Sequence, residues 1–265
     1  MLGMLKSEIY KLFKKKSFYI CALVLMGLAG IAVWSYEGVL TSRLRITESG
    51  FLRQLGYTGW NGIQLGLGNV LLMNSIFTSI FVCYEFSSGM NKNLAIRGKN
   101  KFVMYFSKMI VSMIVPVLYT LLAALTSYAI GSHLWGAGKW EQDYINSIII
   151  PLGLFVLVQM AYQSIFVMAG YLSKSSGWTT AINFAISSLI LPALAIKGIN
   201  YILDTWFGVK ESVAKYWPGE GFVNIYEYKY PLDIEHAKVF PWVLMAYFVI
   251  PAIIGSVVFY RREVK

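Results

Sequence analysis

The sequence predicts an all-α integral membrane protein with six transmembrane helices, and three observations carry that prediction. Of the 265 residues, 57% are hydrophobic, and mean hydropathy is +0.58. Only 14% are charged, and they arrive in clusters. Between the clusters lie uncharged runs of 20, 31, 30, 30, 22 and 22 residues, and about 20 suffice for one crossing. The longer runs read as one span plus an interfacial tail. Expected spans are about 18–36, 62–84, 109–131, 145–172, 178–197 and 241–260. The whole chain, 1–265, reads as a single transmembrane domain.

Residues 1–17 open the chain. Leu2, Leu5, Ile9, Leu12 and Phe13 recur at helical spacing, while Lys6, Ser7, Lys11 and Lys14 to Lys16 turn the other way. This predicts an amphipathic elbow helix in the interface, its lysines toward anionic headgroups. A signal peptide is the competing reading, but the basic region is long and itself amphipathic, and no small-residue cleavage site is evident before Trp34 to Glu37.

Orientation follows from lysine and arginine. With the N-terminus inside, segments 1–17, 85–108, 173–178 and 261–265 hold 14 basic residues against three acids, Glu8, Glu85 and Glu263. The outer segments, 37–61, 132–144 and 197–241, hold 9 basic residues and 10 acids. Both ends are therefore expected in the cytoplasm. The net charge of +10 is read as membrane-facing, not as a nucleic-acid footprint.

Between the second and third spans lies a basic stretch, 85–108. Gly89 and Gly98 bracket Met90 to Arg97, where Leu94 and Ile96 stand against Lys92, Asn93 and Arg97. That suits a short helix across the cytoplasmic mouth. One reading makes it a docking helix for a soluble partner, and the other a loop that only fixes orientation.

The spans are chemically quiet, with no acid or base near a midpoint. Their polar residues are amides and hydroxyls, among them Gln64, Asn69, Asn74, Gln159, Gln163 and Asn183. Gln159 and Gln163 share a face and read as interhelical hydrogen-bond glue, and Gly62 and Gly66 as a close-packing pair. Pro116, Pro151, Pro192 and Pro251 kink or start helices. The outer segment 197–241 is rich in rings, and two short interfacial or re-entrant helices are expected at about 198–207 and 210–217. Cys21 and Cys83 both fall in apolar runs and read as neither disulfide nor metal ligand.

No catalytic constellation is found. The two histidines, His133 and His236, lie in outer segments. No His-Glu-x-x-His, Gly-x-Ser-x-Gly or phosphate-cradling glycine loop occurs. No catalytic residue, metal or cofactor is assigned, and the chain is not expected to be an enzyme. If ATP drives it, another chain hydrolyses that ATP.

The stretch Glu85, Gly89, Lys92-Asn93, Leu94, Gly98, Lys101 and Ser107-Lys108 resembles the loop after the second span of ABC exporter permeases of the type-2 family. The likeness covers about 25 positions, and Lys101 stands where members often carry arginine. The resemblance implies a permease whose elbow helix, coupling helix and six spans serve a separate nucleotide-binding ATPase subunit. That subunit would bind ATP and Mg and dock on Glu85, Gly89, Met90, Lys92, Asn93, Leu94, Ile96 and Arg97. Such permeases pair, as a homodimer or with a related second permease, in the bacterial plasma membrane. The pairing helices would place Asn69, Asn74 and Asn183 along a cargo path. Permeases of this size resemble lantibiotic-immunity or antimicrobial-peptide exporters, which implies a peptide, toxin or lipid-like cargo. A secondary transporter and a non-transporting anchor or sensor are the rival classes.

Overall fold

The computed structural model describes residues 2–44, 57–90, 100–138, 142–188, 190–208, 217 and 234–261. Among the described residues there are ten helices and no strand. In chain order they are α1 (Leu2–Lys14), α2 (Lys16–Leu44), α3 (Gly59–Leu67), α4 (Val70–Ser87) and α5 (Lys101–Ser112). Then come α6 (Ile114–Trp135), α7 (Gln142–Ser173), α8 (Ser176–Ser187), α9 (Ile190–Phe207) and α10 (Ile234–Arg261). Among the described residues five stretches are long and apolar enough to cross a membrane, or six if α8 and α9 form one span broken by a 63° bend.

The interior is aromatic. Phe18 of α2 meets Phe77 of α4 and stacks on Tyr119 of α6, whose hydroxyl donates to the Phe18 carbonyl at 3.0 Å. These rings and their apolar neighbours form one buried core. A second group, Tyr105, Tyr171 and Phe259, joins α5, α7 and α10 at the end of the bundle where α1 lies. There Phe102 of α5 stacks on Tyr260 of α10. The described ends of the chain thus share one end of the bundle, which also carries most of the lysines among the described residues.

Several helices depart from the expected spans. The second run divides at Gly68 and Asn69 into α3 and α4. The division follows from packing, because α3 lies along the outer half of α6 at backbone contact. A Cβ on Gly62 would meet the Ser127 carbonyl oxygen at 2.7 Å, and one on Gly66 would meet the Ser127 Oγ at 1.6 Å. The expected close-packing pair is thus seated on a named partner. The third run begins early, at Lys101, and breaks at Met113, with Pro116 in the first turn of α6, where proline is tolerated. The fifth divides into α8 and α9. Residues 198–207, expected as a separate interfacial helix, continue α9. The expected helix at 210–217 lies outside the described residues except for Trp217. That ring packs edge-on to Tyr162 of α7 and Tyr247 of α10.

Candidate functional site

Three sequence-distant elements converge at the lysine-rich end. On α1, Glu8 lies three residues from Leu5 and four from Leu12, so the helical period puts it on the inward side with them. α4 stops just past Glu85. The Ser88 amide donates to the Tyr84 carbonyl at 2.9 Å, and Gly89 takes φ +67°, a conformation in which a side chain would be strained. α5 starts from Asn100, whose side chain accepts from the Phe102 amide at 2.9 Å. Two turns on, Lys108 shares the buried face of α5 with Met104, Tyr105 and Val111.

The charges of these helices meet at a largely buried point, with Lys11 part-exposed. Lys108 Nζ donates to Glu8 Oε2 and to Glu85 Oε1, both at 2.8 Å. Lys11 Nζ donates to the same Glu85 Oε1 at 2.9 Å and also to Glu8. Lys108 is 1% exposed, Glu8 3% and Glu85 4%. The Lys108 ammonium also lies 3.8 Å from the centroid of the Phe81 ring. Two carboxylates and two ammonium groups cancel formally. Neutrality and hydrogen bonding are what make burial of Glu8, Glu85 and Lys108 tolerable, with Lys11 at the edge. Burial opposes the charge on Lys11, but Glu85 and Glu8 outweigh it and hold its pKa above the ordinary lysine value.

Lys15, in the single non-helical residue between α1 and α2, differs. Among the described residues it has no carboxylate partner at ion-pair distance. Its Nζ sits 4.0 Å from the Tyr84 ring centroid and 3.5 Å from the Phe81 carbonyl. Burial, helped by the like charge of Lys108, lowers its pKa from 10.5 to about 8, against the pull of Glu85 and Glu8.

Chemically the arrangement is a set of ion pairs that joins α1, α4 and α5. Because Glu85 accepts from both lysines, the end of α4 cannot shift without dragging α1 and α5 or breaking charged bonds in a dry place.

Of the sequence-predicted docking residues, Glu85 is in this cluster, Gly89 ends α4, and Met90 lines an adjoining cleft. Lys92, Asn93, Leu94, Ile96 and Arg97 lie outside the described residues. Of the predicted cargo-path amides, Asn69 is part-exposed at the α3–α4 break. Asn74 is fully buried, and neither end of its amide has a hydrogen-bond partner among the described residues. Asn183 is also fully buried, donating to Ser79 Oγ at 2.9 Å and to the Phe166 carbonyl at 3.3 Å. Gln163 ties Thr78 of α4, at 2.8 Å, to the Ser112 carbonyl of α5, at 3.0 Å. Its expected companion Gln159 is equally buried but has no such bond among the described residues.

Glu8, Lys11 and Lys108 were not expected at a site. A signal existed for two of them. Glu8 interrupts the Leu5–Leu12 stripe, and Lys108 the apolar face of α5. A charge on an apolar face calls for a counter-charge.

A family model, ABC-2 family transporter protein, matches residues 4–190, well over half of the chain. The chain belongs to the ABC-2 transporter family. The match spans α1 to α8 and takes in all four members of the ionic cluster. Membership makes this ABC-2 chain a multi-pass membrane component of an ABC transporter, of a family that works with an ABC ATPase. Among curated proteins, none matches the chain.

Proposed function

We propose that this ABC-2 family chain is the permease subunit of an ATP-driven exporter that moves an amphipathic cargo, a peptide, toxin or lipid-like molecule, out of the cell or its membrane. The observation that carries the reading is Glu85. It stands two residues before the end of α4, where the basic loop begins, and its carboxylate is bonded to both Lys108 and Lys11. A soluble ATPase gripping 85–98 would hold a lever attached to α1 and α5. ATP and Mg belong to that subunit. The lysine-rich end then faces the cytoplasm, in keeping with the charge asymmetry of the sequence.

Two such permeases, alike or related, would pair around the cargo, with Asn74 and Asn183 beside the path and Asn69 at its outer end. Amides in an apolar wall let an amphipathic molecule slide without a deep well. Immunity to an antimicrobial peptide is the role that size and resemblance favour.

The test is co-expression with the ATPase. Leu94→Asp should abolish co-purification while membrane insertion persists, whereas Glu85→Gln should keep the ATPase bound but uncouple its turnover from added peptide. If Leu94→Asp co-purifies at full yield, the docking reading fails.

A further inference from the structure

A cleft of about 550 Å³ opens beside the ionic cluster, between α1, the α1–α2 junction and the end of α4. Five lysines line it, Lys11, Lys14, Lys15, Lys16 and Lys108, with one acid, Glu85. Lys11 and Lys108 are already neutralised by Glu8 and Glu85. Lys14, Lys15 and Lys16 have no carboxylate at ion-pair distance among the described residues. Among the described residues Lys14 meets the hydroxyl and ring of Tyr10, and Lys15 meets rings and a carbonyl. The wall therefore carries three uncompensated positive charges, one of them half-buried, around a space large enough for a small ligand.

We propose that this cleft binds the phosphate of an anionic phospholipid headgroup. The charge calls for an anion, and a lysine ammonium is a strong point-charge partner for phosphate. The remaining walls distinguish a lipid from free phosphate. Tyr10, Ile80, Tyr84 and Met90 present ring and aliphatic surface that inorganic phosphate cannot use and a glycerol backbone can. Just past Ser17, α2 exposes Tyr19, Ile20 and Leu23, an apolar surface suited to acyl chains. Lysines beside an apolar helix are also placed for the headgroup level of a bilayer. A lipid seated here would brace the α1–α2 junction against the end of α4, from the open side of the Glu8–Glu85–Lys108 cluster. The site rests on the membrane placement of this end, and needs neither the ATPase nor transport.

The experiment uses the purified full chain in neutral detergent, titrated with dihexanoyl phosphatidylglycerol, dihexanoyl phosphatidylcholine or inorganic phosphate, with thermal unfolding as the readout. Phosphatidylglycerol should raise the midpoint saturably, and phosphatidylcholine should not. Lys15→Gln should weaken the apparent affinity roughly tenfold. Lys6→Gln, which removes an exposed charge from α1 away from the cleft, should change it less than about threefold. Lys15→Arg should retain binding, and a Lys14→Gln/Lys16→Gln pair, leaving Lys15 intact, checks the site should Lys15→Gln fold poorly. Equal stabilisation by inorganic phosphate would overturn the lipid assignment. Equal losses in Lys6→Gln and Lys15→Gln would overturn the site, reducing the effect to diffuse attraction. Neither outcome touches the permease reading, which stands on ATPase co-purification.

Discussion

Lys108 and Glu8 are 100 residues apart in the chain and 2.8 Å apart in the fold. Their bond ties the second half of α5 to α1, and Glu85 extends it to the end of α4. Three helices far apart in sequence are thus joined through one buried set of charged hydrogen bonds.

The first prediction concerns this bond. Lys108→Met leaves Glu8 and Glu85 sharing Lys11 alone, an uncompensated buried charge that costs about 3–5 kcal/mol. Glu8→Gln combined with Lys108→Met leaves a neutral Lys11–Glu85 pair. The double variant should therefore unfold at a higher temperature than Lys108→Met. Strict additivity of the two losses in thermal unfolding would show that the charges do not act as a unit.

A second prediction turns on pH. With its pKa near 8, against 10.5 for an ordinary lysine, Lys15 holds its proton less tightly in the fold than in the unfolded chain. Its charge destabilises the fold below about pH 8, and that cost is relieved as pH rises from 8 toward 10.5. The charged groups around it are Lys108 on α5, Glu85 on α4, and Glu8 and Lys11 on α1. A bound anion restores the proton. Affinity for phosphatidylglycerol should then be greatest below about pH 8 and fall above it, whereas Lys15→Arg should flatten the profile between pH 7 and 9.5. An identical slope in the arginine variant would assign the effect to another group.

The third concerns the α3–α6 contact. Gly66→Ala places a methyl against Ser127 and should cost about 1–3 kcal/mol of stability by overpacking. Ser127→Gly in the same chain removes both the Oγ and the Cβ that clash, so the pair should recover most of the loss. Gly62→Ala meets a backbone carbonyl instead, and Ser127→Gly should not rescue it. Rescue of both by the same change would mean that α3 does not lie where the structure has it.

The fourth separates packing from transport in the amides. Asn183→Leu loses two hydrogen bonds, worth about 0.6 kcal/mol each on average in a membrane bundle, and should lower the unfolding temperature. Asn74 makes no such bond among the described residues, so Asn74→Leu should leave stability nearly unchanged. If Asn74 borders the cargo path, that variant should lower export, and Asn74→Cys should react with thiol reagents in a way that depends on nucleotide. Normal export together with an inert cysteine in every nucleotide state would place the path elsewhere.

Much of the architecture was legible without coordinates because the bilayer is a severe solvent. A crossing needs about twenty apolar residues whatever it packs against, so runs such as 109–138 and 144–173 declare themselves. The glycine pair at 62 and 66 was legible for a similar reason, since small residues four apart leave few uses in an apolar helix but close contact. The start of α5 was not legible, since the helix begins at Lys101 rather than near 109, capped by Asn100.

What the sequence determined by itself was therefore local: apolar length, helical period, cap and charge asymmetry, each set within one or two turns of chain. Only the tertiary structure decided who answers whom. Glu8 looked like one acid in a lysine-rich surface helix, and Lys108 like the polar edge of a span. Both are buried because α1 folds back beneath α4 and α5, and a charge in that position is tolerable only where its opposite arrives from another helix. The seat of α3 against Ser127 of α6 was likewise a matter of neighbours, whereas the break at Met113 has Pro116 beside it in the sequence. That Lys15 has no carboxylate at ion-pair distance among the described residues was also hidden, since pairing depends on where the carboxylates of other helices arrive.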